Sequence, residues 1–167
     1  LMKKKIFLYF FIIFQLCTKQ LFGLENKIIF KINDKFITTF DVIQEERYLK
    51  ILNPNLNKID KNKLKVLVID SIIKEKIKEI ELNKYYQIEK ALDETNLKII
   101  IKNLYQAVGY QKEKEFKDYL KTQNIKFLSV KRKLAIEMLW NNLIFQKFSN
   151  RVVINENEIK NSIDKEI

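Results

Sequence analysis

The stretch that decides the fold is LKVLVIDSIIKEKIKEIEL, residues 64–82, which carries a strong helical pattern. Five of its seven β-branched residues recur at steps of three and four, the spacing that places side chains on one face of an α-helix. We call this set the isoleucine stripe: Val66, Ile69, Ile73, Ile77 and Ile80. Asp60 precedes the pattern as a candidate N-cap. The sequence therefore predicts a long helix from Asp60 to about Leu82 whose isoleucine stripe lies in the core.

A β-hairpin is predicted upstream of this helix. Residues 28–32 and 36–37 read as short strands, and residues 33–35, Asn-Asp-Lys, read as the turn between them. Asn and Asp tolerate the left-handed backbone that a tight turn needs. Because a two-stranded hairpin is marginal by itself, it needs a covering helix or a further strand. The β-branched run at residues 151–154 is a candidate third strand.

The first helix is predicted directly after the hairpin. Thr38 and Asp41 have the spacing of a capping box, in which each side chain accepts a hydrogen bond from the other residue's backbone N–H. This pattern predicts a helix over residues 39–52. Pro54 ends it, because proline cannot continue a helix from its interior.

Three further helices are predicted downstream, over residues 91–108, 112–122 and 129–148, after an extended link at Gln87 and Ile88. Gly109 stands where a left-handed C-cap belongs. The core residues expected from the first two of these helices are Leu97, Ile100, Leu104, Val108, Phe116, Tyr119 and Leu120. The last helix is apolar on two faces, with Val130, Leu134, Met138, Phe145 and Phe148 on one side and Ile136, Trp140, Leu143 and Ile144 on the other. It must therefore be covered twice or leave one face for a partner. The predicted fold is mainly α, with five to six helices packed as one domain and a small N-terminal β-hairpin.

The amino-terminal segment has the pattern of a secretory signal peptide. Lys3, Lys4 and Lys5 precede an apolar run over residues 6–16, and Gly23 offers a small residue for cleavage. This pattern predicts residues 1–23 as the signal and export to the periplasm. Cleavage would remove four lysines and no acid, lowering the net charge from +11 to +7, and would remove the single cysteine. The alternative is an uncleaved anchor over residues 6–22.

Catalytic chemistry has few candidate residues in this chain. The sequence contains no histidine, and its only cysteine, Cys17, lies in the predicted signal, so histidine bases, thiol nucleophiles and the usual zinc sites are excluded. Two glycines cannot build a phosphate-binding loop. The paired acids Glu45-Glu46 and Asp93-Glu94 lie among lysines, and we expect them on solvated faces. We therefore expect no enzyme activity, no cofactor and no metal.

The positive charge also suggests a nucleic-acid interface, but the pattern argues against one. The densest basic run, residues 131–133, is only three residues long and has no interleaved aromatics. We therefore expect solvated helix faces at these positions and no nucleic-acid partner.

The order of these elements resembles the N-terminal domain of SurA-type periplasmic chaperones. The resemblance is carried by residues 28–42, 64–88, 109–125 and 131–140, followed by VINENEI at residues 153–159. It implies a chaperone domain over residues 24–154 and, over residues 155–167, the start of a helix that leads towards a parvulin-type isomerase domain. Since that helix ends with the chain, and Leu1 precedes Met2, we expect a piece of a longer protein. Asn124 stands where relatives often have glycine.

The resemblance implies that the chain binds unfolded outer-membrane proteins or other exported polypeptides without transforming them. The candidate client contacts are aromatic or apolar residues off the main core stripes: Tyr105, Tyr110, Phe127, Met138 and Trp140. Two alternatives stay open, a relative anchored in the inner membrane by its signal segment and a basic scaffold for anionic surfaces. A homodimer formed by exchange of the terminal strand is a further possibility.

Overall fold

The computed structural model describes residues 26–92 and 94–149. In these residues a hairpin, β1 (Ile28–Ile32) and β2 (Lys35–Thr38), precedes six α-helices. The helices are α1 (Thr39–Leu52), α2 (Lys61–Leu82), α3 (Ile88–Ala91), α4 (Thr95–Ala107), α5 (Glu113–Thr122) and α6 (Phe127–Phe148), with a 3₁₀ turn at Pro54–Lys58. This confirms the predicted mainly α fold with a small hairpin. The predicted signal over residues 1–23, the candidate strand at 151–154 and the helix at 155–167 lie outside the described residues.

The hairpin packs against α2 through one of its faces. β1 and β2 pair antiparallel with an irregularity between Ile28 and Phe30. Asn33 takes a φ of 51° in the turn, which confirms the left-handed position expected there. The inward face contributes Ile37, fully buried, to a cluster with three residues of α2. The helix therefore supplies the cover that a two-stranded sheet requires.

The capping box at the start of α1 is confirmed. The backbone N–H of Thr38 donates to the Asp41 carboxylate at 2.8 Å, and the Asp41 N–H donates to Thr38 Oγ1 at 3.3 Å. Thr38 is also the last residue of β2, so the strand passes into the helix without a loop. The N–H of Thr39 donates to the carbonyl of Lys27 at 2.8 Å, which fixes the hairpin to the first turn of α1.

The start of α2 is as predicted, but the prediction for its buried face is wrong. Asp60 accepts hydrogen bonds from the N–H groups of Asn62 at 2.9 Å and Lys63 at 3.2 Å, as an N-cap does. The buried residues of α2 are Leu64, Val68, Ile72, Glu79 and Leu82. The isoleucine stripe lies about 140° around the helix from them, with Val66 68% and Ile77 52% exposed. The helix α2 therefore has two apolar faces. The hairpin, α1 and α6 cover the face of Leu64 and Glu79, and the isoleucine stripe lies on the other face.

The predicted helix over residues 91–108 is divided in the structure. The short helix α3 replaces the end of the predicted extended link, because Ile88 and Ala91 are both buried in the cluster that contacts α6. After it, α4 begins at Thr95 and ends before Gly109, whose φ is 95°. Gly109 and Tyr110 donate to the carbonyls of Gln106 and Tyr105, at 3.0 and 2.8 Å, which is the Schellman arrangement.

The end of α5 repeats this arrangement with asparagine in place of glycine. Asn124 has a φ of 55°, and its N–H donates to the carbonyl of Lys121 at 3.0 Å. Ile125 donates to the carbonyl of Leu120 at 2.9 Å. Asparagine is tolerated here because its short polar side chain suits the left-handed region better than most side chains do.

Neighbouring helices cover both apolar faces of α6 from Val130 to Leu143. Val130 belongs to a cluster with Phe116 and Leu120 of α5, whereas Ile136 and Leu143 belong to the cluster with α3 and α4. The last turn differs. There Ile144, Phe145 and Phe148 are 36%, 72% and 41% exposed.

Candidate functional site

A cleft of about 330 Å³ lies where α1, α2 and the start of α6 meet. Its apolar walls are Phe40 and Tyr48 of α1, Ile72 of α2, Ile125 and Val130. Its volume is at the lower end of the range that ligand-binding clefts occupy. The cleft exists because the hairpin feeds α1 directly into place and the turn at Asn124 redirects the chain from α5 into α6.

Charged groups from three helices form the floor of this cleft. Lys133 of α6 forms ion pairs with Glu45 of α1, at 2.6 Å, and with Glu75 of α2. Ser71 Oγ donates a further hydrogen bond to Glu45 at 2.7 Å. Glu45 is only 3% exposed, so its charge is balanced inside the protein and not by water. We call Glu45, Ser71, Glu75 and Lys133 the floor cluster.

A second group of ion pairs continues from the floor cluster along α2. Glu79, which is 5% exposed, accepts from Lys76 at 3.0 Å and from Arg132 at 2.9 Å. Arg132 also pairs with Glu89 of α3. The acids of α2 are thus connected to α6 by two consecutive cations, Arg132 and Lys133.

The environment shifts the pKa of several groups in this region, among them Lys133, Glu79 and Tyr48. Burial opposes the charge of Lys133, but Glu75 and Glu45 outweigh burial and raise its pKa above the ordinary 10.5. Burial likewise opposes the charge of Glu79, yet Lys76 and Arg132 outweigh it and lower its pKa below 4.5. Burial, reinforced by Glu45 and Glu75, raises the pKa of Tyr48 well above 10.0. These directions of the pKa shifts keep Lys133 and Glu79 charged and the Tyr48 phenol neutral at neutral pH.

These contacts correct two expectations from the sequence. Glu45 was expected on a solvated face and is instead buried. The basic run at residues 131–133 was also expected to be solvated, but Arg132 and Lys133 are bound to buried acids. Arg132 and Glu79 are 53 positions apart in the sequence, and Lys133 and Glu45 are 88 positions apart. A local sequence pattern therefore does not predict these ion pairs. One sequence feature does point to the buried acids. Leu64, Val68 and Ile72 form an apolar row at helical spacing, and Glu75 and Glu79 continue the same row.

The five predicted client contacts do not form one surface. Tyr105 and Phe127 are partly buried between the cluster containing Leu82 and that containing Phe116. Tyr110 packs against Phe116 and Tyr119, with ring centroids 5.8 and 5.2 Å apart. Trp140 is partly buried, with Lys78 Nζ 6.0 Å from its ring centroid. Met138 is 7% exposed and lies in the core.

One group of large apolar side chains that face solvent lies on the hairpin and at the start of α1. We call them the hairpin patch: Ile28, Ile29, Phe36 and Phe40, which are 62%, 44%, 55% and 56% exposed. Lys31 lies opposite Phe36 in the hairpin, with its Nζ 5.1 Å from the ring centroid. Phe40, the member of the patch that lies in α1, also lines the cleft. None of these four residues is among the client contacts predicted from the sequence.

The chemistry of the site is that of a polar floor beneath apolar walls. Lys133 pairs with both Glu45 and Glu75, and Lys76 Nζ lies 3.8 Å from Glu75, so both carboxylates of the floor are engaged in ion pairs. Within the described ranges, no group of three or more acidic, cysteine or histidine side chains is arranged to hold a metal ion. In the same residues, no helix is long and apolar enough to span a membrane.

Comparison with known proteins finds no counterpart: no protein family, curated protein or solved structure matches this chain.

Proposed function

We propose that this chain is a chaperone domain of the SurA type, which binds unfolded exported polypeptides such as outer-membrane protein precursors and performs no chemistry on them. The observation that supports the proposal best is the hairpin patch, four large apolar side chains exposed within one short stretch of chain. Single exposed apolar residues are ordinary, but a group of them beside a cleft is typical of an interaction surface.

The cleft gives this surface a place for client side chains to enter. Phe40 stands at its mouth, and Tyr48, Ile125 and Val130 line it further in. Apolar walls bind many side chains without strict preference, which suits a protein that must hold different unfolded sequences. The floor cluster adds polar partners whose charges are already engaged in ion pairs within the protein.

The hairpin adds a second means of contact with an extended chain. In the described part of the protein, β1 and β2 form a two-stranded sheet, so each strand has an outer edge that is not paired with a strand. Extended polypeptides add to such edges through main-chain hydrogen bonds, which are independent of sequence. The hairpin patch would then supply apolar contacts beside those hydrogen bonds.

The experiment measures aggregation of an unfolded outer-membrane protein, by light scattering, with and without the 167-residue chain. We expect suppression at low molar excess of the chain. The double variant Phe36→Ser/Phe40→Ser should lose most of it, because both side chains are more than half exposed and their loss removes contact area without opening the core.

The matched control is Phe145→Ser/Phe148→Ser, which removes two phenylalanines from the exposed last turn of α6. We expect this variant to retain suppression. If neither pair matters, or the wild-type chain does not suppress aggregation, the proposal is wrong. Suppression that disappears as salt rises would instead favour the basic scaffold, since charge-driven binding weakens steeply with salt.

A further inference from the structure

The isoleucine stripe forms an apolar surface along the outside of α2. Val66 and Ile77 are exposed, and Ile69, Ile73 and Ile80 are half-buried. None of the five belongs to a core cluster of the described residues. From Val66 to Ile80 the stripe extends about 21 Å along the helix. The structure therefore leaves a row of β-branched side chains on the surface, the kind that packs well at the seam between two helices.

The spacing of the stripe is the same in both directions. Its successive steps are three, four, four and three residues, with Ile73 at the centre. A second α2 that runs antiparallel and is centred on Ile73 therefore places Val66 opposite Ile80 and Ile69 opposite Ile77. Such self-complementarity is what a two-fold symmetric interface requires, because each residue must fit a residue of the same surface.

Charged residues on one flank of the stripe have the same symmetry, and the other flank carries Lys65 and Lys76. Lys63, Asp70, Lys74 and Glu81 lie within about 40° of one another around α2, on one flank of the stripe. In an antiparallel pair this flank meets its own copy. Lys63 then approaches Glu81 of the partner copy, and Asp70 approaches Lys74 of the partner copy. Both encounters join opposite charges.

From this symmetry of apolar spacing and charge, we propose that the outward face of α2 binds a second copy of this chain, forming an antiparallel helix pair centred on Ile73. The two acids on the flank of Asp70 and Glu81 favour this occupant over an anionic lipid surface, which would select basic residues on both flanks. The interface lies on the opposite side of α2 from the floor cluster, so it leaves the cleft accessible. It does not depend on the proposed chaperone function.

The first experiment is sedimentation equilibrium of the 167-residue chain over a range of concentrations. We expect a monomer–dimer equilibrium. Ile73→Lys places two lysines against each other at the symmetry axis and should raise the dissociation constant of the dimer by about 100-fold. The control Ile99→Lys makes the same change at an exposed position of α4, 53% exposed, and should leave the equilibrium unchanged.

A charge-reversal series tests the orientation of the two helices with Lys63 and with Glu81, which within one chain pairs with Lys84 and Lys147. Lys63→Glu and Glu81→Lys should each raise the dissociation constant by roughly tenfold, because each places like charges together. The double variant should restore the wild-type value. Within one chain these residues are roughly 27 Å apart along α2, so the rescue can only arise between chains.

Several results would overturn the proposal. A wild-type chain that is monomeric at every concentration rejects the interface, as does a dimer that Ile73→Lys leaves intact while circular dichroism shows a folded helix. Failure of the double charge reversal to restore dimerisation rejects the antiparallel pairing. The Phe36→Ser/Phe40→Ser variant should dimerise normally, so loss of client binding and loss of dimerisation are separate outcomes.

Discussion

The inward face of α2 carries acids whose charges are balanced by α6, whereas its outward face carries the isoleucine stripe. By hydropathy alone the outward face is the better candidate for the core. The inward face is buried because Glu79 and Glu75 find Arg132, Lys76 and Lys133 within ion-pair distance. Which face of α2 is buried therefore depends on the side chains of the neighbouring helices that pair with it, and not on its apolar character alone.

The substitution with the largest expected effect removes Lys133, the cation that pairs with acids on the inward face of α2. Lys133→Met should lower the free energy of unfolding by about 3–5 kcal/mol, because Glu45 would remain buried without its ion pair. Urea denaturation measures the change. Lys121→Met is the control, since the pair of Lys121 with Asp118 is 77% and 56% exposed and contributes less than about 1 kcal/mol.

A further substitution in the Lys133→Met background checks the physical reason. Adding Glu45→Gln should recover part of the lost free energy, because it removes the buried charge that the first substitution leaves unpaired. If Lys133→Met and Lys121→Met have equal small effects, the inward face is not held by its charges.

The second test compares apolar truncation on the two faces. Leu82→Ala, at a fully buried position, should cost about 2–5 kcal/mol, the usual range for a cavity left by leucine. Ile77→Ala, at a position 52% exposed, should change the free energy of unfolding by less than about 0.5 kcal/mol in dilute protein. Equal losses would mean that the outward face is as well covered as the inward one.

The smallest test uses acid. Because the folded protein lowers the pKa of Glu79 below 4.5, this group stabilises the fold above that pH, and the contribution is lost as the pH falls through the folded pKa. Glu79→Gln should therefore be less stable than wild type at pH 7 by about 1–2 kcal/mol. The difference should shrink towards pH 3 in denaturation curves. A constant difference across this range would contradict the ion pairs of Glu79.

The parts of the fold that sequence predicted correctly depend on neighbours in the chain. The capping box of Thr38 and Asp41, the N-cap at Asp60, the turn at Asn33 and the C-cap at Gly109 each involve residues at most a few positions apart. Backbone geometry at such sites is set by side-chain type, so the sequence determines it locally.

The candidate site was not predicted, because its contacts join distant residues. Glu45 meets Lys133 across 88 positions of sequence, and a lysine near an acid in one helix gives no sign of such a partner. The same reasoning explains the misplaced core face of α2. Periodicity identifies a face that differs from the rest of a helix, but it does not identify the neighbour that covers it.

Thr38 belongs to β2 and is also the N-cap of α1, so one residue ends the sheet and starts the helix. No hinge separates the two elements, and the N–H of Thr39 is held by the carbonyl of Lys27 across the hairpin. Local opening of the sheet must therefore break the first turn of α1 as well. We therefore expect the amides of the hairpin and of this turn to exchange together and not by independent fraying.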